Sequence, residues 1–255
     1  MANPQELLNS SGFGTWLRTN VGSWLSDPSD TEKTPIDDIS SSSNTEDKND
    51  WRVRLSIPPA WGKGAGTIEG REYESLEPLF KTSGFIFPYT PTIMMQHTAT
   101  YDTIKPTHSN YPFLTYQNSS VEAFTIAGDF LIENEMEGRY WTAALHYLRS
   151  VTKMGYGDDD FNGAPPPVVK LNGYGPHIFK DVPVVVQSFN IELPNDVDYI
   201  MVRQEKGDTE VKTWVPTRSN IAVNVHTAYS RRKVSTFSLE KFANGSYLNT
   251  DKGFI

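Results

Sequence analysis

Residues 121–155 read VEAFTIAGDFLIENEMEGRYWTAALHYLRSVTKMG and contain two successive patterns of apolar residues. Over 121–132, apolar and polar side chains alternate, which is typical of a β-strand with one buried face. After Asn134 the apolar spacing changes to three and four residues, which predicts a helix over about 135–154. The apolar positions of that helix are Tyr140, Trp141, Ala144, Leu145, Leu148, Val151 and Met154. A strand that runs directly into an amphipathic helix is therefore the first element of the predicted fold.

The two ends of this helix carry residues that helix ends favour. Asn134 is a good N-cap, and Glu135 and Glu137 place negative charge in the first turn, where the helix dipole stabilises anions. Gly155 is expected to end the helix. Gly138 is the one weak position inside it, since a glycine costs about 1 kcal/mol relative to alanine within a helix.

Most of the chain between 51 and 240 has the pattern of β-strands. Alternating or apolar stretches lie at 51–57, 93–101, 111–116, 168–171, 182–193 and 214–229. Asn172-Gly173 is a strong signal for a hairpin turn. The sequence therefore predicts an α+β, β-rich protein, built as a β-barrel or sandwich with one flanking helix.

The first 50 residues divide into an apolar segment and an acidic one. Residues 1–25 predict an amphipathic helix, and its apolar stripe consists of Phe13, Trp16, Leu17, Trp24 and Leu25. Residues 26–50 are acidic and rich in Ser and Asp, with too few large apolar residues for a core, and predict a linker. The stripe is a candidate docking surface for a partner subunit, and packing on the chain's own body is the alternative. A membrane surface is disfavoured, because Arg18 is the only base in this helix.

The overall composition excludes several classes of protein. The chain of 255 residues has no cysteine, so it has no disulfide framework, thiolate metal site or thiol nucleophile. Its formal net charge of −8 disfavours binding to duplex DNA, which needs a basic surface. We expect neither a membrane span nor a signal peptide, because no long apolar run is present. Assembly in a reducing cytoplasm fits the lack of cysteine.

Three short motifs could carry chemistry or contacts, and the first two are incomplete. Asp158-Asp159-Asp160-Phe161-Asn162-Gly163 matches the first half of a calcium loop, but Val169 occupies the twelfth position, where a bidentate Glu is needed. Gly62-Lys63-Gly64-Ala65-Gly66 lacks the G-K-[ST] of a phosphate-binding loop. Arg231-Arg232-Lys233 is expected in a strand pair, as a charged edge that discourages pairing or meets an acidic neighbour. We expect no catalytic residue, no cofactor and no metal site.

Several segments together resemble one family of phage proteins. They are FTIAGDF at 124–130, the helix at 140–154, PPPVVKLNGYG at 165–175 and VPVVVQSF at 182–189. This order of strand, helix, proline-rich strand and apolar strand is similar to that of the tail-tube initiator and baseplate tail-tube cap proteins of contractile-tailed bacteriophages. WVPTRSNI at 214–221 and the strand that follows look like the closing element of that family. The resemblance covers about 51–240 and is strongest over 120–240.

The resemblance implies a fold, an assembly and a role. It implies a tail-tube-like domain over 51–246 and a C-terminal tail at 247–255. Six copies would form a ring that connects the baseplate to the tail tube, contacts other baseplate hub and tail-tube proteins, and lines the DNA channel. DNA would pass through the lumen without specific binding, since an acidic lumen repels it. The protein would be a structural, non-enzymatic component of the virion, assembled in the host cytoplasm.

Two other functions stay open from the sequence. The first is a tail-tube or tail-terminator subunit elsewhere along the tail. The second is a carbohydrate-binding or hydrolytic β-protein of the tail, in which aromatic residues such as Trp61, Tyr73 and Tyr174 would stack on sugars. Trp and Tyr are, however, also enriched at interfaces between proteins.

Overall fold

The structure of the protein is a computed structural model. It describes residues 51–58, 61, 67–68, 71–72, 74–156, 163–206, 209–248, 250 and 252–255. The expected N-terminal helix at 1–25 and the acidic linker at 26–50 lie outside the described residues.

Strands predominate in the described part of the chain. The strands are β1 (Arg54–Ser56), β2 (Thr67–Ile68), β3 (Arg71–Glu72), β4 (Gly84–Ile86), β5 (Thr92–Met94), β6 (His97–Ile104), β7 (Phe113–Val121), β8 (Phe124–Leu131), β9 (Val169–Gly173), β10 (Phe179–Ile191), β11 (Tyr199–Lys206), β12 (Thr209–Pro216) and β13 (Arg218–Thr227). The helices are α1 (Glu77–Lys81), α2 (Glu135–Val151), α3 (Arg231–Ser235) and α4 (Leu239–Ala243), and a short 3-10 helix (Glu74–Leu76) precedes α1.

Seven strands form the main sheet, in the order β4-β1-β9-β10-β13-β8-β5. Each strand in this sheet is antiparallel to its neighbours. Within the described residues the sheet is open, because β4 and β5 lie at opposite edges. The α+β, β-rich class is therefore confirmed, whereas a closed barrel is wrong for this part of the chain.

The core lies between the main sheet and α2, because alternate side chains of the central strands point toward the helix. In β8 the buried residues include Phe124, Ile126 and Phe130, and in β13 they include Ile221, Val223 and Val225. Burial of each large apolar side chain contributes about 1.5–3 kcal/mol. The pattern read from 121–132 thus marks the face of β8 that the helix covers.

Three aromatic side chains of α2 attach the helix to the sheet through their polar atoms. The Tyr140 hydroxyl accepts a hydrogen bond from the Ile86 amide over 2.8 Å. The Trp141 indole N–H donates to the Ser219 hydroxyl over 2.8 Å. The Tyr147 hydroxyl donates to the carbonyl of Ser56, 2.7 Å away, and its ring is fully buried. These bonds satisfy the polar atoms of large buried rings, so the helix is fixed in both position and rotation.

The start of α2 is as expected, but its end is not. The Asn134 side chain accepts from the Glu137 amide over 2.9 Å, which confirms Asn134 as the N-cap. The helix ends at Val151 instead of near Met154. The Thr152 hydroxyl donates to the carbonyl of Arg149 over 3.0 Å, and such side-chain bonds to the backbone compete with the helical pattern.

The structure also corrects the prediction of a tight turn at Asn172-Gly173. Both residues lie in β9, and the turn of the hairpin is formed by residues 174–178. The Asn172 side chain accepts a hydrogen bond from the Asp181 amide over 2.7 Å, so it stabilises the strand pair rather than a tight turn. The Tyr174 amide donates to the carbonyl of Trp51, 2.8 Å away, which extends the strand further.

The structure also corrects the predicted secondary structure of the basic cluster. Arg231, Arg232 and Lys233 lie in α3, not in a strand pair. The Ser230 hydroxyl caps this helix by accepting from the Lys233 amide. A serine N-cap directly before the cluster favours a helix start, and this local signal outweighs the strand pattern of the preceding residues.

The last residues pack against the main body. The segment expected as a C-terminal tail, 247–255, contains Tyr247, which is buried, and Gly253, which has a φ of +60°. A Cβ atom on Gly253 would lie 2.1 Å from the Asp181 carbonyl oxygen, so only glycine fits this approach to β10. The Tyr229 hydroxyl donates to the Gly253 carbonyl over 2.9 Å.

Gly138 marks the closest packing of α2 on a second layer. β11 and β12 form a hairpin that lies against α2, with Val202 and Val215 buried. A Cβ atom on Gly138 would lie 2.3 Å from Cγ2 of Val202. Because valine is stiff at χ1, Val202 cannot yield without moving the strand. The glycine that weakens the helix in isolation therefore lets the hairpin approach it.

Gly138→Ala tests this close approach. Overpacking costs about 1–3 kcal/mol and outweighs the gain of about 1 kcal/mol in helix propensity, so the free energy of unfolding should fall. Val202→Ala makes room for the new methyl group, so the double variant should lose less stability than the sum of the two single variants. Urea unfolding of the four proteins gives the coupling energy. Additive losses, or a stabilised Gly138→Ala variant, would contradict the packing.

Candidate interaction surface

The arm, consisting of β6, β7 and the connecting residues 105–112, extends the main sheet at one edge. β6 and β7 pair only with each other in the described part of the chain. The arm follows β5 and precedes β8, which are themselves paired. The Glu122 amide donates to the Gln96 carbonyl over 3.0 Å and bridges the two strand pairs. The arm is therefore a continuation of the β5–β8 ladder beyond the core.

The two faces of the arm differ in polarity. Cross-strand partners share a face, and one face carries Tyr101 opposite Tyr116. Their rings meet edge to face with centroids 5.8 Å apart. The other face carries Asp102, whose carboxylate accepts a hydrogen bond from the Gln117 amide. The arm thus presents an aromatic face, and a second face that is polar at Asp102 and ends in the Ile104–Phe113 pair.

The tip of the arm is strongly apolar. Tyr111 is 80% exposed, Phe113 is 63% exposed and Leu114 is 70% exposed. Ile104, the cross-strand partner of Phe113, is also exposed. A group of large apolar side chains exposed in this way marks an interaction site.

The arm lacks the contacts that stabilise a sheet by itself. An isolated two-stranded hairpin is at best marginally stable in water, and three strands or packing on a helix are normally needed. Almost every residue of β6 and β7 is exposed, so the core contributes little to the arm. Both the apolar tip and the free strand edges gain from a partner. The arm is therefore the candidate interaction surface of the described residues.

A cleft lies at the base of the arm. This C-terminal cleft has a volume of about 710 Å³ and is lined by the arm base, the β9–β10 turn and the last residues of the chain. Its lining includes apolar side chains such as Ile178, Phe242 and Phe254, and basic ones such as His97 and Lys180. A volume of about 300–1,000 Å³ is typical of pockets that enclose a small ligand.

Glu137 is the buried carboxylate of the described residues, and its surroundings give it a structural role. It is 2% exposed, and its Oε2 accepts from the Glu133 amide over 2.7 Å. Burial raises the pKa of Glu137, and the nearby Glu133 charge acts in the same direction. The hydrogen bonds from Glu133 and Asn134 lower that pKa and offset part of the rise. The Glu137 side chain therefore caps the first turn of α2, and burial of its charged form has an electrostatic cost.

The motifs singled out in the sequence do not meet in one site. The phosphate-loop residues 62–66 and the acids of the calcium half-loop, 158–162, lie outside the described residues. Within the described ranges, no group of three or more His, Asp or Glu side chains is arranged to hold a metal ion. None of the helices described has the length and apolar character needed to cross a membrane.

The stripe proposed for docking, Phe13, Trp16, Leu17, Trp24 and Leu25, also lies outside the described residues. The arm was only partly visible in the sequence, as the strand patterns at 93–101 and 111–116. A turn segment of KPTHSNYP at 105–112, with two prolines, separates these patterns and was the available signal for a hairpin. The sequence did not predict that both faces of the arm are exposed, because aromatic residues in a strand normally indicate burial.

No known protein family model matches this chain, and no curated protein sequence matches it either. The resemblance to tail-tube initiator proteins stays a prediction from the sequence segments at 124–130, 140–154, 165–175 and 182–189.

Glu137→Gln tests the electrostatic cost of the buried carboxylate. The folded-state pKa lies above the ordinary value of 4.5, so the folded protein binds the proton more tightly than the unfolded chain does. The wild type therefore loses stability as the pH rises through the folded pKa, and glutamine removes this loss while keeping a hydrogen-bond acceptor. The variant should gain stability relative to the wild type as the pH rises above the ordinary pKa of 4.5.

Urea unfolding of both proteins at several pH values measures this difference. A stability difference that is independent of pH, or one that moves in favour of the wild type as the pH rises, would show that Glu137 is not destabilised by its burial.

Proposed function

We propose that the protein is a structural subunit of a phage tail, which forms a homohexameric ring between the baseplate and the tail tube. The observation that carries this proposal is the arm, a paired strand extension with an apolar tip and little support from its own core. A surface of this kind needs a protein partner, and in a ring every copy supplies the same surface. The segments that resemble tail-tube initiator proteins give the class of the assembly.

The geometry of the arm supports contacts between copies. Its strands offer free backbone donors and acceptors, to which a neighbouring copy can add a strand. Its tip offers large apolar side chains, and burial of each contributes about 1.5–3 kcal/mol. Strand pairing would fix the orientation of one copy relative to the next, and burial of the apolar tip would stabilise the contact between them.

The main sheet supplies a surface suited to a channel wall. The face opposite α2 carries short polar side chains, including Thr125, Asp129 and Asn220. The Asn220 amide donates to the Asp129 carboxylate over 2.9 Å. A wall with hydrogen-bonded polar groups and an overall negative protein charge would let DNA pass without adhering. In this proposal the ring lines the channel with this face and reaches the baseplate hub and tail-tube proteins with its rims.

The double variant Phe113→Ser/Leu114→Ser tests the arm. Both side chains are largely exposed in the single copy, so the free energy of unfolding should change by less than about 0.5 kcal/mol. If the tip is buried in a ring, association between copies should weaken by tenfold or more. Sedimentation velocity over a range of concentrations measures both proteins.

Leu193→Ser is the matched control, because Leu193 is also largely exposed but lies between β10 and β11, away from the arm. The control should assemble like the wild type. Unchanged assembly of the arm variant, or an equal loss in the control, would overturn the role of the arm.

A further inference from the structure

The strongest unexplained feature outside the arm is the C-terminal cleft. We propose that its occupant is the N-terminal segment of the same copy, and that the apolar stripe of residues 13–25 docks into it. This inference concerns the single chain and does not rest on the proposed ring.

The position of Trp51 carries the first argument. Trp51 is the first described residue, and its carbonyl accepts a hydrogen bond from the Tyr174 amide over 2.8 Å. Its ring stacks on that of Tyr174 with centroids 6.2 Å apart. Tyr174 is followed directly by the turn that supplies Pro176, His177 and Ile178 to the cleft. The N-terminal segment therefore joins the body next to one wall of the cleft.

The length of the connection allows docking within one copy. Residues 26–50 comprise 25 residues, which reach roughly 25–30 Å as a random coil. A tether of this length gives an effective concentration in the millimolar range, so docking in the same copy is favoured over docking between dilute copies. Of the two occupants that the sequence left open, the position of Trp51 thus favours the chain's own body.

Charge complementarity carries the second argument. Residues 26–50 contain eight acids and two bases, a net charge of −6. Residues 228–255, part of which lines the cleft, contain five bases and two acids, a net charge of +3, and the five bases lie outside the lining itself. The cleft lining adds Lys180 from β10 and His97 from the arm base. An acidic tether that joins the body at Trp51 is attracted to a cleft whose lining holds Lys180 and no Asp or Glu side chain.

The chemistry of the cleft matches that of the stripe. Ile178 and Phe242 line the cleft and are 47% and 40% exposed. The stripe supplies two tryptophans, a phenylalanine and two leucines, which are too large to remain favourably in water. A cleft of about 710 Å³ has room for several such side chains, so the two apolar surfaces would cover each other.

Disulfide trapping in the full chain tests the proposal, because the native sequence has no cysteine. The test pair is Ser23→Cys with His177→Cys, which places one thiol beside the stripe and the other in the cleft wall. The control pair is Ser23→Cys with Asn110→Cys, at the exposed tip of the arm. The tip is roughly 25 Å from the base of the arm, given about 3.3 Å per residue in a strand. Mild oxidation at low protein concentration, a non-reducing gel and peptide mass spectrometry give the yield of each crosslink.

We expect the test pair to form an intramolecular disulfide at least ten times faster than the control pair. Adding Trp16→Ala and Trp24→Ala to the test pair should reduce the rate to that of the control. Repeating the test with Thr15→Cys in place of Ser23→Cys removes dependence on one position in the stripe. Equal rates for test and control pairs at both positions, or crosslinks that form only between molecules, would overturn docking within one copy.

Discussion

The attachment of α2 to the main sheet is the constraint on which the rest of the structure depends. Tyr140, Trp141 and Tyr147 are buried, and each bonds a polar atom of a different strand or strand end. Large rings with satisfied polar atoms allow only one position of the helix, because a shift would break hydrogen bonds in a dry core. The opposite side of the helix then receives the β11–β12 hairpin, where Gly138 leaves space for Val202. The main sheet and the β11–β12 hairpin are thus both positioned by their packing on α2.

This central arrangement leaves the arm outside the core. β5 and β8 lie at the edge of the main sheet, and the chain between them extends beyond the helix that covers the sheet. An element that gains little from its own core and exposes apolar side chains costs solubility and stability in the single chain. In the proposed ring, a neighbouring copy covers the arm, and burial of its apolar side chains offsets this cost. The cleft at the base of the arm is a separate feature, and the N-terminal segment is its proposed occupant.

The sequence predicted those elements whose signals are local. β8 and the start of α2 were recognisable because burial on one face and the Asn134 cap both act within a few residues. The Asn172-Gly173 turn was mispredicted because strand pairing continues through these residues: the Asp181 amide donates to the Asn172 side chain, and the next residue, Tyr174, donates to the Trp51 carbonyl. The pattern at 214–229 proved to be two strands, β12 and β13, which separate at Thr217. The Thr217 amide donates to the Asp198 carbonyl over 2.8 Å, a contact that no local pattern contains. The helices α3 and α4 are five residues each, too short to give a periodic signal.

An electron-microscopy map of the assembled phage tail tests the central claim most directly. We expect a sixfold ring of this protein at the baseplate end of the tail tube, with the tip of each arm buried against a neighbouring copy and the polar face of the main sheet toward the channel. A ring with a symmetry other than six, or other than three with duplicated domains, would contradict it. A position elsewhere along the tail, or arms that remain in solvent after assembly, would contradict it as well.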